Sequence, residues 1–345
     1  MGQTQPKVEG PAPIKPDKAT EAPSTACVFI LGRQHSGNTV LAHLLGRLPG
    51  VYARVDENSF FEVRKQIDAI RPAVERAWNV LRSLRIDGTE DNERVLERLR
   101  TMAEQNEVVT ALDLYLAGMD ELTQAAGASV WAQKATSYVF HAREILADVP
   151  HAKLIYVLRN PLDLAASEKR RKWTRGYVWG TPKGWKAGLQ LADALRRSHP
   201  TRFMIVKYED LATHPEETAR RICAFLELDF DARCLDVPRV NPAEAGAYSL
   251  TVDDSAPRGL SATKVFTYAS TLTELEITAV ELMACGPLFD AYYPNWPSQP
   301  SRPLARARVL LMVAAVRFAW TYMTRLDRSW GHLLRRTLRR IKGGG

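Results

Sequence analysis

Little in these 345 residues marks an extracellular, metal-binding or membrane-spanning protein. The four cysteines, Cys27, Cys223, Cys234 and Cys285, form no CxxC pair and no metal-ligand spacing. That argues against a disulfide scaffold and for reduced core thiols in a reducing, cytoplasmic compartment. His43, His141, His151, His199, His214 and His332 are equally scattered, so no metal is expected. Residues 1–25 are rich in Pro, Lys, Glu and Thr and hold no apolar run, which predicts a disordered leader and no signal peptide. Acidic residues are scarce at the other end. Residues 302–345 carry eleven Arg or Lys against the single Asp327, a net of +10 in a chain of net +8, leaving the other 301 residues at −2. The basic character therefore belongs to the tail, and no nucleic acid is expected as partner of the domain. With 46% hydrophobic residues, that domain has enough apolar side chains for a full core.

The densest signal lies near the start. Cys27, Val28, Phe29, Ile30 and Leu31 form an apolar run that reads as a strand buried on both faces. A glycine-bounded turn follows, Gly32-Arg33-Gln34-His35-Ser36-Gly37-Asn38-Thr39, and then helical apolar spacing at Val40, Leu41, Leu44, Leu45 and Leu48. Two glycines separated by four residues, with Thr39 two places after the second, give phosphate-loop spacing. The lysine of a nucleoside triphosphatase is missing, and Asn38 stands in its place. Loop N–H groups and the helix dipole can hold a phosphate or sulfate unaided. Without the lysine that reaches the outer phosphates of ATP or GTP, the ligand should end in a different group, and a sulfuryl donor fits.

Residues 51–55 read as a second strand leading to Asp56, Glu57, Asn58 and Ser59. A carboxylate just past a strand end is placed for proton chemistry. Asp56 also suits the cap or first turn of the following helix, and Glu57 is the candidate base. Residues 62–126 show long helical periodicity amid many Arg and Glu, and are expected to form surface helices or a lid. A short strand then brings Lys134 to its C-terminal end. A further apolar strand ends at Arg159, Asn160-Pro161 breaks it, and the next helix carries Ser167 about two turns in. The guanidinium fork suits a dianionic phosphate, implying a second phosphate site away from the loop.

These blocks, together with residues 133–138 and Phe203 to Leu211 followed by a helix starting at Pro215, resemble the sulfotransferases that use 3′-phosphoadenosine 5′-phosphosulfate (PAPS), most closely the carbohydrate-type branch. The resemblance covers roughly residues 26–230. It implies a three-layer α/β/α fold with a mainly parallel sheet, a phosphate-binding loop after the first strand and helical insertions. It also implies that Arg33, Gln34, His35, Ser36, Gly37, Asn38 and Thr39 contact the 5′-phosphosulfate, that Arg159 and Ser167 grip the 3′-phosphate, and that Lys134 and Glu57 are catalytic, Glu57 as general base. The family loop carries Lys or Arg where His35 stands here, so Arg33, His35 and Lys134 are the candidates for the cation at the bridging oxygen. Lys134 is favoured, with His35 in support. Arg258 and Lys264, in a Pro-, Gly- and Ala-rich stretch, match a late basic loop closing over the 3′-phosphate.

The function so implied is in-line transfer of a sulfuryl group from PAPS to a hydroxyl of a carbohydrate, lipid or small metabolite, without a metal. The alternatives are a non-catalytic nucleotide-binding protein recruited to membranes by its tail, against which Glu57 and Lys134 speak, and a nucleotide kinase, against which Asn38 speaks.

Trp173, Trp179 and Trp185 fall in an Arg- and Lys-rich stretch and either stack on the ligand or anchor a loop. Thr271 or Thr273 caps a helix that runs to Met283. The domain is expected to span residues 26–294, with a Pro-rich linker at 295–303 and a basic amphipathic helix and tail at 304–345. Arg306, Arg308 and Arg317 interrupt that helix's apolar run, so it falls short of a membrane span. It would lie on an anionic membrane through residues 304–342, on the inner face, or pack on the domain or on the second subunit of a homodimer.

Overall fold

The computed structural model describes residues 26–86, 88–170, 177–237, 259–296 and 303–325. The expected leader, Trp173, Arg258, most of the linker and the end of the tail lie outside them.

Five strands form one sheet: β1 (Ala26–Gly32), β2 (Val51–Arg54), β3 (Val130–Lys134), β4 (Lys153–Leu158) and β5 (Phe203–Lys207). Their order is β2-β3-β1-β4-β5 and every pairing is parallel, so the sheet is wholly rather than mainly parallel. All five chains therefore leave the sheet at one edge. Successive side chains alternate between two cores, as the pleat requires. Phe29, Leu31, Leu154, Tyr156 and Trp131 face one, and Val28, Ile30, Ile155, Val157 and Ala132 face the other.

The helices covering these faces are α1 (Asn38–Leu45), α2 (Phe60–Asp68), α3 (Ala73–Leu84), α4 (Thr89–Gln105), α5 (Ala111–Ala125), α6 (Ala142–Asp148), α7 (Pro161–Arg170), α8 (Tyr177–Ser198), α9 (Tyr208–Thr213), α10 (Pro215–Leu226), α11 (Glu274–Ala284) and α12 (Pro287–Tyr292), with α13 (Pro303–Arg325) beyond them. Local chemistry starts several of them. Thr110 and Asp113 form a capping box on α5, Thr273 and Glu276 form another on α11, and Pro215 opens α10 with Glu216 and Glu217 in its first turn. Of the two threonines expected to cap α11, Thr273 does so.

Residues 62–126 differ from the expectation of surface helices. Val80, Leu84, Leu114, Tyr115 and Met119 are buried in the same core as Phe29 and Trp131. The many charges had hidden apolar stripes that face inward on both α3 and α5. Only α4, burying Val95, Leu99 and Ala103, has the thin stripe of a surface helix.

α1, following β1, packs on the core of Val28 and Ile30. α8, which follows α7 in the connection from β4 to β5, packs on the opposite core through Trp185, Leu189 and Ala192. Connections on opposite faces open a crevice outside the carboxyl ends of β1 and β4, where ligands of such sheets bind.

Candidate active site

The loop from Gly32 to Thr39 occupies that crevice. A Cβ at Gly32 would lie 2.6 Å from both Asn38 Oδ1 and the Val157 carbonyl. Gly37 has φ 102°, and a Cβ there would lie 2.4 Å from the Tyr208 ring. Gly32 itself has φ 145°, so both glycines are demanded by close packing and by a positive φ that L side chains rarely adopt. His35 adopts φ 70°, a conformation disfavoured outside glycine, so the loop is held in a specific shape. No side chain caps α1, and its first turn holds no acid, so its leading N–H groups point out without a side-chain acceptor. Ser36 is 1% exposed, and its hydroxyl has no protein partner. A buried donor of that kind beside free helix N–H groups is the signature of an anion site.

The Asn38 side-chain amide donates to the carbonyls of Gly32, at 3.3 Å, and Arg33, at 3.1 Å, and so stitches the loop, while its Oδ1 is buried without a protein partner. Gln34 lies exposed on the rim and Thr39 is half-buried at the helix start. Arg33 turns away along α8, where a Cβ at Gly184 would meet it, and pairs with Glu168 at 2.8 Å.

Arg159 is buried at the end of β4. Its Nη1 donates to the His35 carbonyl at 2.9 Å, its guanidinium sits 4.5 Å above the Tyr208 ring, and its own carbonyl accepts from Trp185 Nε1 at 2.8 Å. The second cationic position thus touches the loop and does not stand apart from it. Trp185 acts as a core anchor. Asn160 caps α7 by accepting from Leu162 N–H at 2.8 Å, and its own N–H donates to Glu209 at 2.8 Å. Burial pushes the Glu209 carboxyl up, against the Asn160 N–H bond. Ser167 is buried on the same helix, one residue before the partner of Arg33.

Across the crevice, Glu57 and Lys134 meet. Lys134 Nζ lies 2.9 Å from Glu57 Oε2. Thr136 donates its N–H to Glu57 Oε1 at 2.6 Å, and its hydroxyl bonds the same oxygen. Burial raises the Glu57 carboxyl, but Lys134 and the Thr136 bonds outweigh it and hold the group below its ordinary value. Its side chain remains 38% exposed, open to an incoming group, whereas that of Lys134 is 9% exposed. Lys134 also acts on α1: burial first, then Arg47 and Lys134, lower the His43 imidazole. Asp56 neither caps α2 nor faces the site, because Arg54 grips both its oxygens at 3.0 and 3.1 Å. Ser59 occupies the cap position of α2, with no side-chain bond to the helix. Asn58 positions the segment instead, accepting from Phe60 N–H at 2.8 Å and from Tyr138 hydroxyl at 2.6 Å.

Sequence reasoning assigned no role to Thr136, Asn58, Tyr208 or Asp163. Asp163 is buried at the start of α7 and accepts from the N–H groups of Phe266, at 2.7 Å, and Tyr268, at 3.0 Å, mooring the segment that follows Lys264. Burial raises this carboxyl, opposed by Arg159 and those N–H groups. The backbone of Lys264 ends the turn Ala262–Lys264. Its side chain, like all of Arg258, is outside the described residues. Among the described residues no group of His, Cys, Asp and Glu could hold a metal ion.

A model of the sulfotransferase family matches residues 27–232 of the sequence. Among solved structures, the sulfotransferase domain of the Synechococcus PCC 7002 olefin synthase aligns with a TM-score of 0.51 and 22% identity over 78% of this chain and 98% of that one. The sulfotransferase domain of the curacin biosynthetic pathway gives a TM-score of 0.44 and 16% identity over 83% and 96% of the two chains. A mouse sulfotransferase complexed with PAP gives 0.42 and 13%, over 79% and 85%. No curated protein sequence matches.

Proposed function

The chain belongs to the sulfotransferase family, and from that premise we propose that it moves a sulfuryl group from PAPS to an acceptor hydroxyl with Glu57 as general base. One observation carries the reading: the Glu57–Lys134 pair, at 2.9 Å, shares a sheet edge with a loop whose buried Ser36 hydroxyl and uncapped helix N-terminus await an anion.

The residues present fit such a donor. Ser36 and the first N–H groups of α1 would bind its 5′-phosphosulfate end, and Arg159 with Ser167 the 3′-phosphate. Bound PAPS supplies an activated sulfuryl group: a bond forms from acceptor oxygen to sulfur, and the bond from sulfur to the 5′-phosphate oxygen breaks. Glu57 takes the acceptor's proton on a carboxylate oxygen, which its depressed pKa keeps ionised at neutral pH. Lys134 offsets charge on the leaving oxygen. Arg33 pairs with Glu168 at 2.8 Å as Lys134 pairs with Glu57 at 2.9 Å, and Lys134 is the candidate whose ion pair lies with the proposed base, with His35 in support. The inward turn of Asn38 argues against a kinase, since no side chain at that position reaches an outer phosphate.

Calorimetric titration with adenosine 3′,5′-bisphosphate, adenosine 5′-monophosphate and ATP tests the donor. The bisphosphate should bind at least tenfold more tightly than either, about 1.4 kcal/mol. Label from sulfur-labelled PAPS should appear on a hydroxyl acceptor. Equal affinity for the three nucleotides would overturn the reading.

A further inference from the structure

The C-terminal helix α13 shows two different faces. Ala305 and Val309, one turn apart, are buried where the helix lies along α11. On the other side of its first turns stand Leu304 at 77% exposure, Leu310 at 57% and Leu311 at 70%. These are three of the nine large exposed apolar side chains among the described residues, gathered on about two turns of one helix. At about 100° per residue, Leu304, Ala307, Leu310, Leu311 and Ala314 fall on the side opposite Ala305 and Val309, and Arg306 and Arg308 fall on the two edges of that stripe. No Asp or Glu occurs anywhere in Pro303–Arg325.

We propose that this outward face of α13 docks on the surface of an anionic phospholipid bilayer. An apolar stripe edged on both sides by arginines is what an interfacial helix presents: the leucines enter the boundary of the acyl chains while the long arginine stems bring their heads back to the lipid phosphates. Charge complementarity selects the partner. The segment 302–345 carries net +10 on a chain whose remainder is −2, and Arg306, Arg308, Arg317 and Arg325 of α13 supply +4 of it, so attraction to a negative surface is concentrated in this terminal segment. The opposite side already rests on α11, so docking needs no unfolding of the domain. The helix lies on the bilayer and does not cross it, because no helix among the described residues is long and apolar enough to span one. A face of this composition on a second copy would meet like charge, arginine against arginine.

The test is flotation of the full chain with vesicles of phosphatidylcholine mixed with phosphatidylglycerol, and with vesicles of phosphatidylcholine alone. The protein should float with the anionic vesicles only, and release should follow added salt as the screening length shrinks from ~10 Å toward ~3 Å. The double variant Leu310→Gln/Leu311→Gln keeps every charge and should weaken flotation at least tenfold, with adenosine 3′,5′-bisphosphate binding and the melting temperature unchanged. Flotation of the double variant equal to wild type would assign binding to tail charge alone and overturn the docking face. Absence of flotation by the wild type would also overturn it. So would a wild-type dimer, seen by light scattering, that the double variant converts to monomer, since the face would then cover a second copy. Arg306→Gln/Arg308→Gln should reduce the preference for phosphatidylglycerol, and an unchanged preference would remove the two edges from the contact.

Discussion

Lys134 ends β3 and Glu57 lies three residues past the end of β2, the strand paired with β3, so that their charged atoms stand 2.9 Å apart. Thr136 occupies the other oxygen of the same carboxylate, so Glu57 is oriented from both sides. A carboxylate bound this way is fixed in place before any ligand arrives, which is useful to a base and costs it some basicity.

Replacing Glu57 by Gln retains the shape and removes the proton acceptor. Turnover should fall by roughly two to four orders of magnitude, as for loss of general-base catalysis, while calorimetry shows adenosine 3′,5′-bisphosphate binding unchanged. Near-normal turnover, with the chemical step shown to limit the rate, would reduce Glu57 to a structural partner of Lys134.

The same pair sets a pH dependence. Burial raises the Glu57 carboxyl and Lys134 with Thr136 lowers it, with a net depression below 4.5. The base is therefore ionised, and its contribution to stability is present, above the ordinary carboxylate value; both are lost only as pH falls through the depressed value. The acid limb of kcat/KM should accordingly lie below 4.5. Lys134→Met deletes the main lowering influence and leaves burial, so the limb should move upward in pH. A limb that stays in place while turnover drops would show that Lys134 acts on the leaving group and not on Glu57.

Arg159 does two things, holding the His35 carbonyl at 2.9 Å and offering a cation at the mouth of β4. Arg159→Ala should cost roughly 1.5–3 kcal/mol of affinity for adenosine 3′,5′-bisphosphate, as for a charge-assisted contact. Adenosine 5′-monophosphate should lose less, so discrimination between the two nucleotides should shrink. Equal losses would mean that the arginine serves the loop alone.

How far the sequence could be read depends on how local each signal is. The strands were plain because residues buried on both faces give unbroken apolar runs, such as Val28 to Leu31. Glu57, Lys134 and Arg159 stand out because each lies at or just past a strand's C-terminal end, and parallel strands bring all such ends to one edge. Contacts closed over long stretches of chain were invisible: Thr136 meets Glu57 across 79 positions, and Arg33 meets Glu168 across 135. Charge density misled for residues 62–126, where α3 and α5 bury leucines and a tyrosine beneath many exposed Arg and Glu. Asp56 precedes a helix, which suggests a cap, but the bidentate grip of Arg54, two residues earlier, depends on the bend of that segment.

The loop's second glycine gives the last prediction. Gly37 sits at φ 102°, and any Cβ there would approach the Tyr208 ring to 2.4 Å, and the same ring carries the Arg159 guanidinium at 4.5 Å from its centroid. Gly37→Ala therefore meets two separate penalties, about 1–2 kcal/mol for a left-handed L-residue and about 1–3 kcal/mol for overpacking. Only the second depends on Tyr208. Tyr208→Ala alone should lower stability through lost burial and lost cation–π contact, and in its background Gly37→Ala should cost less than in the wild type. Denaturant melts of the wild type, both single variants and the double variant close the cycle, and the two changes should couple by at least about 0.5 kcal/mol in the relieving direction. Additive losses would show that the ring moves aside freely, and the loop's shape would then rest on backbone conformation at His35 and Gly37 without support from β5's end. Coupling of the expected sign would instead make Tyr208 the wedge that keeps the anion loop and Arg159 in register.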